Sequence, residues 1–207
     1  MTFEPLTPER RREMTRQHLL DAAAIVFARK GFHGATLDEV AKLAGFTKGA
    51  VYSNFKSKDD LFLALLEQKS DGSYAVTAEI LETGAHEREE QFPRIRKQLF
   101  TETGTDFFDE EFDALLLEFV LYARRNPEAR EKLAQSAGRE RAFARELIER
   151  EYAADGTAPE FPPEALSTCA LALFGGLSVS RLIDPHAVTA ETVDVALSLL
   201  YKALSVN

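Results

Sequence analysis

Apolar residues between positions 36 and 55 recur with the period of two short helices separated by a tight turn. One face of the first helix would carry Leu37, Val40, Ala41 and Ala44. Thr36 and Glu39 fit a capping box at its start. Gly45 follows at its end, where glycine adopts the left-handed conformation without a steric penalty from Cβ. The pattern therefore predicts a helix, a turn and the start of a second helix.

The second of these helices would be short and exposed. Thr47 is a candidate N-cap, and Val51 and Phe55 are placed to anchor the segment to a core. The outer face would carry Lys48, Gly49, Ala50, Tyr52, Ser53 and Asn54. A helix with a cation, an amide, hydroxyls and small residues suits a DNA major groove. Helix pairs with a glycine turn also occur in proteins that never bind DNA, so both interpretations stay open on this segment alone.

The rest of the chain also has helical periodicity. Residues 7–9 (Thr-Pro-Glu) form a helix start, and that helix is expected to reach about Lys30, with Gly31 just beyond its end. A long helix is expected from Ser57 to about Gly84. Later helices are expected over 88–103, from about 106 to the break at 126–127, from 127 to about 154, from about 164 to 183, and over 189–205. We expect an all-α fold of about nine or ten helices: an N-terminal three-helix head with the helix-turn-helix, followed by a C-terminal helical domain.

Residues 19 to 66 resemble the DNA-binding head of the tetracycline-repressor (TetR) family. The matching residues are Ala22 to Phe27, Gly31-Phe32, Thr36, Val40-Ala41, Ala44-Gly45, Gly49, Tyr52, Phe55 and Lys58. The resemblance implies a homodimer whose larger domain binds a small effector, and usually a repressor that the effector releases from its operator. We accordingly divide the chain into a head over 1–56, a connecting helix over 57–84, and an effector-binding and dimerisation domain over 85–207.

The charge distribution suits this division. The net charge is −9, but residues 1–58 contain ten Lys/Arg against six Asp/Glu, whereas residues 59–207 contain fifteen against twenty-eight. A basic head on an acidic body would approach phosphates head first. The single cysteine, Cys169, excludes an intrachain disulfide and is expected to be buried and inert. With no apolar signal segment at the N-terminus, we expect a cytoplasmic protein that does not associate with membranes.

The DNA contacts are assigned from side-chain chemistry. We expect Lys48 to meet guanine, Asn54 to meet adenine, and Ser53 to reach a base edge. Phosphate contacts are expected from Thr36, Thr47, Tyr52, Lys56 and Lys58. Gly49 and Ala50 would keep the helix face low enough for close approach. The arginine cluster Arg10, Arg11, Arg12 and Arg16 either reaches an adjacent groove or lies in solvent, and Lys58 has an ordinary solvated lysine as its alternative.

The last two helices carry a signal for a second subunit. The final helix has a continuous apolar stripe, and the preceding helix is apolar on more than one side, with a Gly175-Gly176 pair that suits close helix contact. We expect a four-helix interface with the symmetry mate, made by Leu173, Gly175, Gly176, Val193, Leu197, Leu200, Tyr201 and Leu204. The alternative is a hairpin that packs only within its own chain.

An effector pocket is the least specific of these predictions. Aromatic residues of the larger domain would line an apolar cavity: Phe92, Phe100, Phe108, Phe112, Phe119, Tyr122, Phe143 and Phe174. Each of them alone is more often plain core. Glu118 would either meet a cationic ligand or, as we favour from its spacing to Glu111 and Arg125, lie on a solvated stripe. A hydrophobic effector is expected, and no cofactor or metal.

Two other classes of protein remain as alternatives. An all-helical enzyme or small-molecule carrier would have an incidental helix-turn-helix, but the chain has no GxSxG, P-loop, HExxH or CxxC motif and its four histidines are scattered. A non-specific architectural DNA protein would be expected to carry positive charge throughout. The sequence therefore favours a sequence-specific transcriptional regulator that binds a palindromic operator, and not an enzyme.

Overall fold

The computed structural model describes residues 7–82, 110–155 and 160–204, and these residues form eight helices. The helices are α1 (Pro8–Gly34), α2 (Leu37–Ala44), α3 (Lys48–Asn54), α4 (Lys58–Glu82), α5 (Glu110–Arg125), α6 (Pro127–Asp155), α7 (Pro163–Ile183) and α8 (Ala190–Leu204). The predicted all-α class is confirmed. Expected helix boundaries agree within a few residues in the described ranges, while the helix expected over 88–103 lies outside them.

Helix α1 is interrupted at Gly31, where its end was expected. Thr7 caps its start, with the Thr7 Oγ1 accepting a hydrogen bond from the Arg10 amide at 3.3 Å. Gly31 has the expected positive φ (φ 70°, ψ 171°), but the chain then continues into another helical turn that reaches Gly34. Gly31 is therefore a kink within α1, and a side chain there would be strained.

The chain divides into two compact units. The first comprises Met1–Gln68 together with Leu115–Arg130, and the second comprises Lys69–Ala114 together with Glu131–Asn207. Most of α5 therefore belongs to the same compact unit as the head, although the two segments are far apart in the sequence. Helices α4, α5 and α6 each have residues in both units.

An aromatic cluster forms the centre of the first unit. Phe27, Phe32, Phe62 and Phe119 are all almost fully buried. The Phe62 and Phe119 rings stack with centroids 4.6 Å apart, and Phe32 meets Phe119 edge to face at 4.9 Å. Such pairs stabilise beyond the area that they bury. Residues from α1, α4 and α5 therefore share one core.

This cluster corrects two assignments to the effector pocket. Phe119 has no exposed surface and packs on Phe32 and Phe62. The Tyr122 ring lies 5.0 Å from the Phe32 ring, and its hydroxyl donates to Asp59 at 3.3 Å. Burial and the neighbouring Asp59 carboxylate raise the pKa of the Tyr122 hydroxyl. Phe119 is thus a core residue of the first unit, and the half-buried Tyr122 packs against that core.

In the second unit, α8 buries within its own chain part of the face that was expected at a dimer interface. Val193 is 0% exposed and Leu197 only 7%, so both pack within their own chain and cannot reach a partner. Among the described side chains of α8, the exposed large apolar ones are Val195 and Leu199, at 53% and 58%. Leu200 is half-buried. The Tyr201 and Leu204 side chains lie outside the described part of the structure.

Helix α7 exposes much of its apolar surface. Gly175 and Gly176 are exposed, and no atom lies within 4 Å of where a Cβ would stand at either position. Leu173 is half-buried, whereas Ile183 is 81% exposed. Cys169 is exposed as well, which corrects the expectation of a buried thiol. By length and composition alone, α7 is long and apolar enough to cross a membrane, and only 17% of its most apolar stretch is buried.

Candidate DNA-binding surface

Helix α2 begins and ends with hydrogen bonds that the sequence motif anticipates. The Thr36 Oγ1 accepts from the Glu39 amide at 3.3 Å, and a Glu39 carboxylate oxygen accepts from the Thr36 amide at 3.3 Å. Lys30 forms an ion pair with the same carboxylate. The hydrogen bonds from Lys30 and Thr36 hold the pKa of Glu39 below its ordinary value. The predicted capping box is confirmed.

The turn after α2 is a Schellman arrangement. Gly45 is left-handed (φ 74°, ψ 22°), its amide donates to the Lys42 carbonyl at 3.3 Å, and the Phe46 amide donates to the Ala41 carbonyl at 2.9 Å. These bonds satisfy the last carbonyls of α2 and turn the chain toward α3. The Phe46 ring stacks on the His18 ring of α1 at 6.1 Å.

Helix α3 is held by its buried side and presents the other side to solvent. Thr47 caps it, accepting from the Ala50 amide at 3.2 Å. Val51 is 0% exposed and Phe55 is 3% exposed, as expected for anchors. Lys48, Gly49, Tyr52 and Ser53 are exposed, and Ala50 and Asn54 are half-buried. The side chains on this surface are small or polar, and the glycine in the first turn leaves the backbone open to close approach.

The candidate base-reading cation is paired within the head. The Lys48 Nζ lies 2.8 Å from the Asp38 Oδ1, so the start of α3 is joined to the first turn of α2. This hydrogen bond to Asp38 raises the pKa of the Lys48 ammonium. Both side chains are mostly exposed, so a DNA base or phosphate can replace the carboxylate as the partner of Lys48 at little cost.

The other polar side chains of α3 bond to their own helix. The Ser53 hydroxyl donates to the Ala50 carbonyl at 2.9 Å, and the Asn54 Nδ2 donates to the same carbonyl at 2.8 Å. Tyr52 is 50% exposed, and the Lys48 Nζ lies 5.9 Å from the centre of its ring. A base contact by Asn54 therefore requires its side chain to exchange one hydrogen-bonding partner for another.

Lys58 has a geometry different from that of a lysine extended toward solvent. Its Nζ donates to the carbonyls of Phe32 at 2.7 Å, Ala35 at 3.1 Å and His33 at 3.3 Å, and it lies 4.6 Å over the Phe32 ring. Burial lowers its pKa. Three carbonyls match the three donors of an ammonium group. This arrangement argues against both a phosphate contact and a solvated lysine.

The arginine cluster divides in two. Arg10, Arg11 and Arg12 are exposed along the first turns of α1. Arg16 instead stacks its guanidinium over the Phe55 ring at 4.7 Å. A cation at that distance over an aromatic face stabilises the contact between α1 and the end of α3. Lys56, one residue beyond Phe55, is exposed.

Glu118 is the residue that the sequence analysis placed least well. Its Oε2 accepts a hydrogen bond from the Phe32 amide at 2.8 Å, so it belongs neither to a cationic ligand site nor to a solvated stripe. A Cβ added at Gly31 would lie 2.8 Å from that oxygen. The carboxylate can approach the backbone only because residue 31 has no side chain.

The remaining pocket candidates lie partly outside the structure. Phe92, Phe100 and Phe108 are not among the described residues. Phe112, Phe143 and Phe174 are half-buried in the second unit, and the Lys69 Nζ lies 4.6 Å over the Phe112 ring. Within the described ranges, no three His, Cys, Asp or Glu residues are grouped so as to hold a metal ion.

The fold and this surface together define a helix-turn-helix DNA-binding regulator with an all-helical second unit. Residues 19–65 match the family model of tetR-family bacterial regulatory proteins, and residues 89–200 match the model of the BetI-type transcriptional repressor C-terminal domain. The chain belongs to the TetR family of transcriptional regulators.

Individual relatives support the same assignment, and a solved structure supports the fold. The chain is 30% identical over 185 residues to the HTH-type transcriptional regulator YdgC of Bacillus subtilis, which covers 87% of this chain and 90% of that protein. It is 49% identical over 53 residues to the HTH-type transcriptional regulator AcrR of Shigella flexneri, covering 26% and 25%. A crystal structure of a TetR-family regulator from Rhodococcus sp. matches with a TM-score of 0.74 at 21% identity, covering 93% of this chain and all of that one.

Proposed function

We propose that this regulator is a homodimer that binds a palindromic operator through α3 and releases it when a small hydrophobic effector binds. The observation that carries the proposal is the exposed polar face of α3, fixed by the buried anchors Val51 and Phe55. One short helix reads few bases, so two heads on a two-fold axis are needed for a specific site.

Residue roles follow from chemistry and exposure. Lys48, Ser53 and Asn54 contact base edges, Lys48 toward guanine and Asn54 toward adenine. Thr36, Thr47, Tyr52 and Lys56 position the head on phosphates, and Gly49 and Ala50 allow close approach. Arg10, Arg11 and Arg12 remain candidates for an adjacent groove.

The dimer interface is proposed on the exposed faces of α7 and α8. An exposed apolar surface of this kind is rarely left open to water in a soluble protein. Gly175 and Gly176 leave room for a helix of a second copy. The half-buried Leu173 and Leu200 lie on the same two helices, α7 and α8. Val195 and Leu199 take the place that the sequence analysis gave to Val193 and Leu197. Pairing of these faces also favours a cytoplasmic protein over a membrane span by α7.

Sedimentation would test the interface with a matched pair of variants. Leu199→Asp places a charge on the exposed face and is expected to yield folded monomers. Val193→Asp places the same charge in the chain's own core and is expected to unfold the second unit. A Leu199→Asp protein that remains dimeric would remove α8 from the interface.

The effector would bind the second unit, with Phe112, Phe143 and Phe174 as the described candidates for its contacts. The effector need only favour a distance between the two heads that differs from the spacing of successive major grooves, which is roughly 34 Å. Repression is proposed because residues 89–200 match a model named for a transcriptional repressor.

A titration of operator DNA over a range of salt concentrations tests the function itself. A specific dimer should prefer its operator over random DNA by about a thousandfold or more at physiological salt. Equal affinity for both would favour an architectural protein, and no affinity for either would favour a helical binding protein with an incidental helix-turn-helix. A reporter gene placed behind the operator gives the sign of regulation.

A further inference from the structure

The last turn of α1 is held from two sides by charged residues of two other helices. Lys58, at the start of α4, donates to the carbonyls of Phe32, His33 and Ala35. Glu118, in the middle of α5, accepts from the Phe32 amide. One cation therefore takes the acceptors of this turn, and one anion takes a donor.

The two contacts are stronger than ordinary surface hydrogen bonds. Both involve an ionised group on a backbone partner, and both include a distance of 2.7–2.8 Å. Lys58 and Glu118 are both half-buried, and Glu118 lies beside the aromatic cluster. If the Lys58 or Glu118 side chain turned out into solvent, main-chain polar groups of this turn would lose their hydrogen-bonding partner.

The sequence is adapted to the Glu118 contact at a second position. Gly31 has a positive φ and no side chain, and a Cβ there would lie 2.8 Å from one Glu118 carboxylate oxygen and 2.9 Å from the other. The kink and the close approach thus depend on the same glycine. The turn that they fix runs directly into Thr36, the cap of α2, so its orientation sets where the helix-turn-helix begins.

We infer that Lys58 and Glu118 are positioning residues that fix the orientation of the helix-turn-helix relative to α4 and α5, and so set the half-site spacing that the dimer prefers. The inference rests on the proposed dimeric operator binding. Both α4 and α5 extend into the second unit of the chain. Without these two contacts, the last turn of α1 and the helix-turn-helix that follows it lose their fixed orientation on α4 and α5.

The test uses operators whose half-sites are separated by the best spacing, by one base pair more and by one base pair less. Glu118→Ala should reduce the preference for the best spacing by about tenfold, since a hydrogen bond to a charged group is lost in each subunit. Glu118→Gln should retain most of the preference, because its Oε1 can accept from the same amide. Glu111→Ala removes an exposed carboxylate from the first turn of the same helix and should leave the preference unchanged.

Lys58 is tested by the same operators and by the salt dependence. Lys58→Met should weaken the spacing preference while the slope of log affinity against log salt stays constant. A slope that is smaller by about two for the dimer, with the preference intact, would mean that Lys58 binds a phosphate in each half-site and would overturn its positioning role.

Hydrogen exchange separates this inference from the proposed function, because it needs no DNA. The Phe32 amide should exchange at least about tenfold faster in Glu118→Ala than in the unchanged protein, while amides of α6 keep their rates. Unchanged exchange and unchanged spacing preference in Glu118→Ala would overturn the inference even if operator binding is specific. Faster exchange in a protein that binds no operator would leave the contact standing and remove the proposed function.

Discussion

Gly49 allows the DNA-facing side of α3 to be tested without a loss of stability. It is the second residue of the helix and is exposed. A Cβ added there would lie 3.7 Å from the Thr47 Oγ1, which is ordinary van der Waals contact. Because alanine is favoured over glycine in a helix, Gly49→Ala should raise the free energy of unfolding by about 0.5–1 kcal/mol.

The same substitution should weaken operator binding. If α3 enters the major groove with this residue against the DNA, each head must accommodate an added methyl group at its point of closest approach. An unfavourable contact in one half-site costs at least about 1 kcal/mol, so two heads lose roughly thirtyfold in affinity. Stability and binding therefore change in opposite directions, which excludes misfolding as the cause of weaker binding.

The assay is a fluorescence-anisotropy titration of labelled operator, run beside thermal unfolding followed by circular dichroism. Gly138→Ala in α6 is the matched control, since its added Cβ would meet nothing closer than the Arg141 Nη2 at 3.8 Å. It should give the same gain in stability with no change in affinity. An unchanged affinity for Gly49→Ala would refute the proposed orientation of α3.

Three further predictions concern the first unit. Asp38→Asn should raise operator affinity several-fold in the same titration, because it frees Lys48 and removes a charge that repels phosphate; weaker binding would mean that the ion pair pre-forms the reading surface. Phe119→Ala should lower the free energy of unfolding by about 3–5 kcal/mol in denaturant titration, whereas a loss under 1 kcal/mol would place Phe119 outside the core. The Glu39 pKa is lowered in the folded state, so its contribution is present above about pH 4.5 and is lost as the pH falls through the lowered value. Glu39→Gln should therefore flatten acid unfolding curves in that window, and an unchanged curve would count against the capping box.

The helix-turn-helix could be predicted in detail because its determinants are local. The Thr36 cap contacts a residue three positions away, and the Gly45 turn is closed by bonds within five residues. Residue type and spacing are sufficient to specify such contacts. The anchors Val51 and Phe55 followed from the same short-range periodicity.

The roles of Phe119, Tyr122 and Glu118 could not be predicted in this way. The hydrogen bond from the Phe32 amide to Glu118 joins residues 86 positions apart. A phenylalanine at this helical spacing could line a pocket or lie in a core. Only the packing of Phe119 on Phe62 shows that it is a core residue. Gly31 alone could have indicated a close backbone approach, but nothing in the sequence shows that Glu118 is the residue that makes it.

The apolar stripe on α8 shows a second limit. Periodicity identified Val193 and Leu197 as apolar but gave no information about which apolar surface faces the chain's own core. Val195 and Leu199 complete the helix with apolar residues on another side, and the choice between these faces depends on how α8 packs on its neighbours. Cys169 was misplaced for the same reason, since α7 is apolar on more than one side.

Selection of binding sites from a random DNA pool tests the central claim most directly. The purified full-length protein would be used near physiological salt, and the bound DNA sequenced after several rounds. The account predicts an enriched palindrome whose half-site centres are separated by whole helical turns of roughly 34 Å. A pool that stays random, with binding that is weak and lost as salt rises, would contradict a specific dimeric reader.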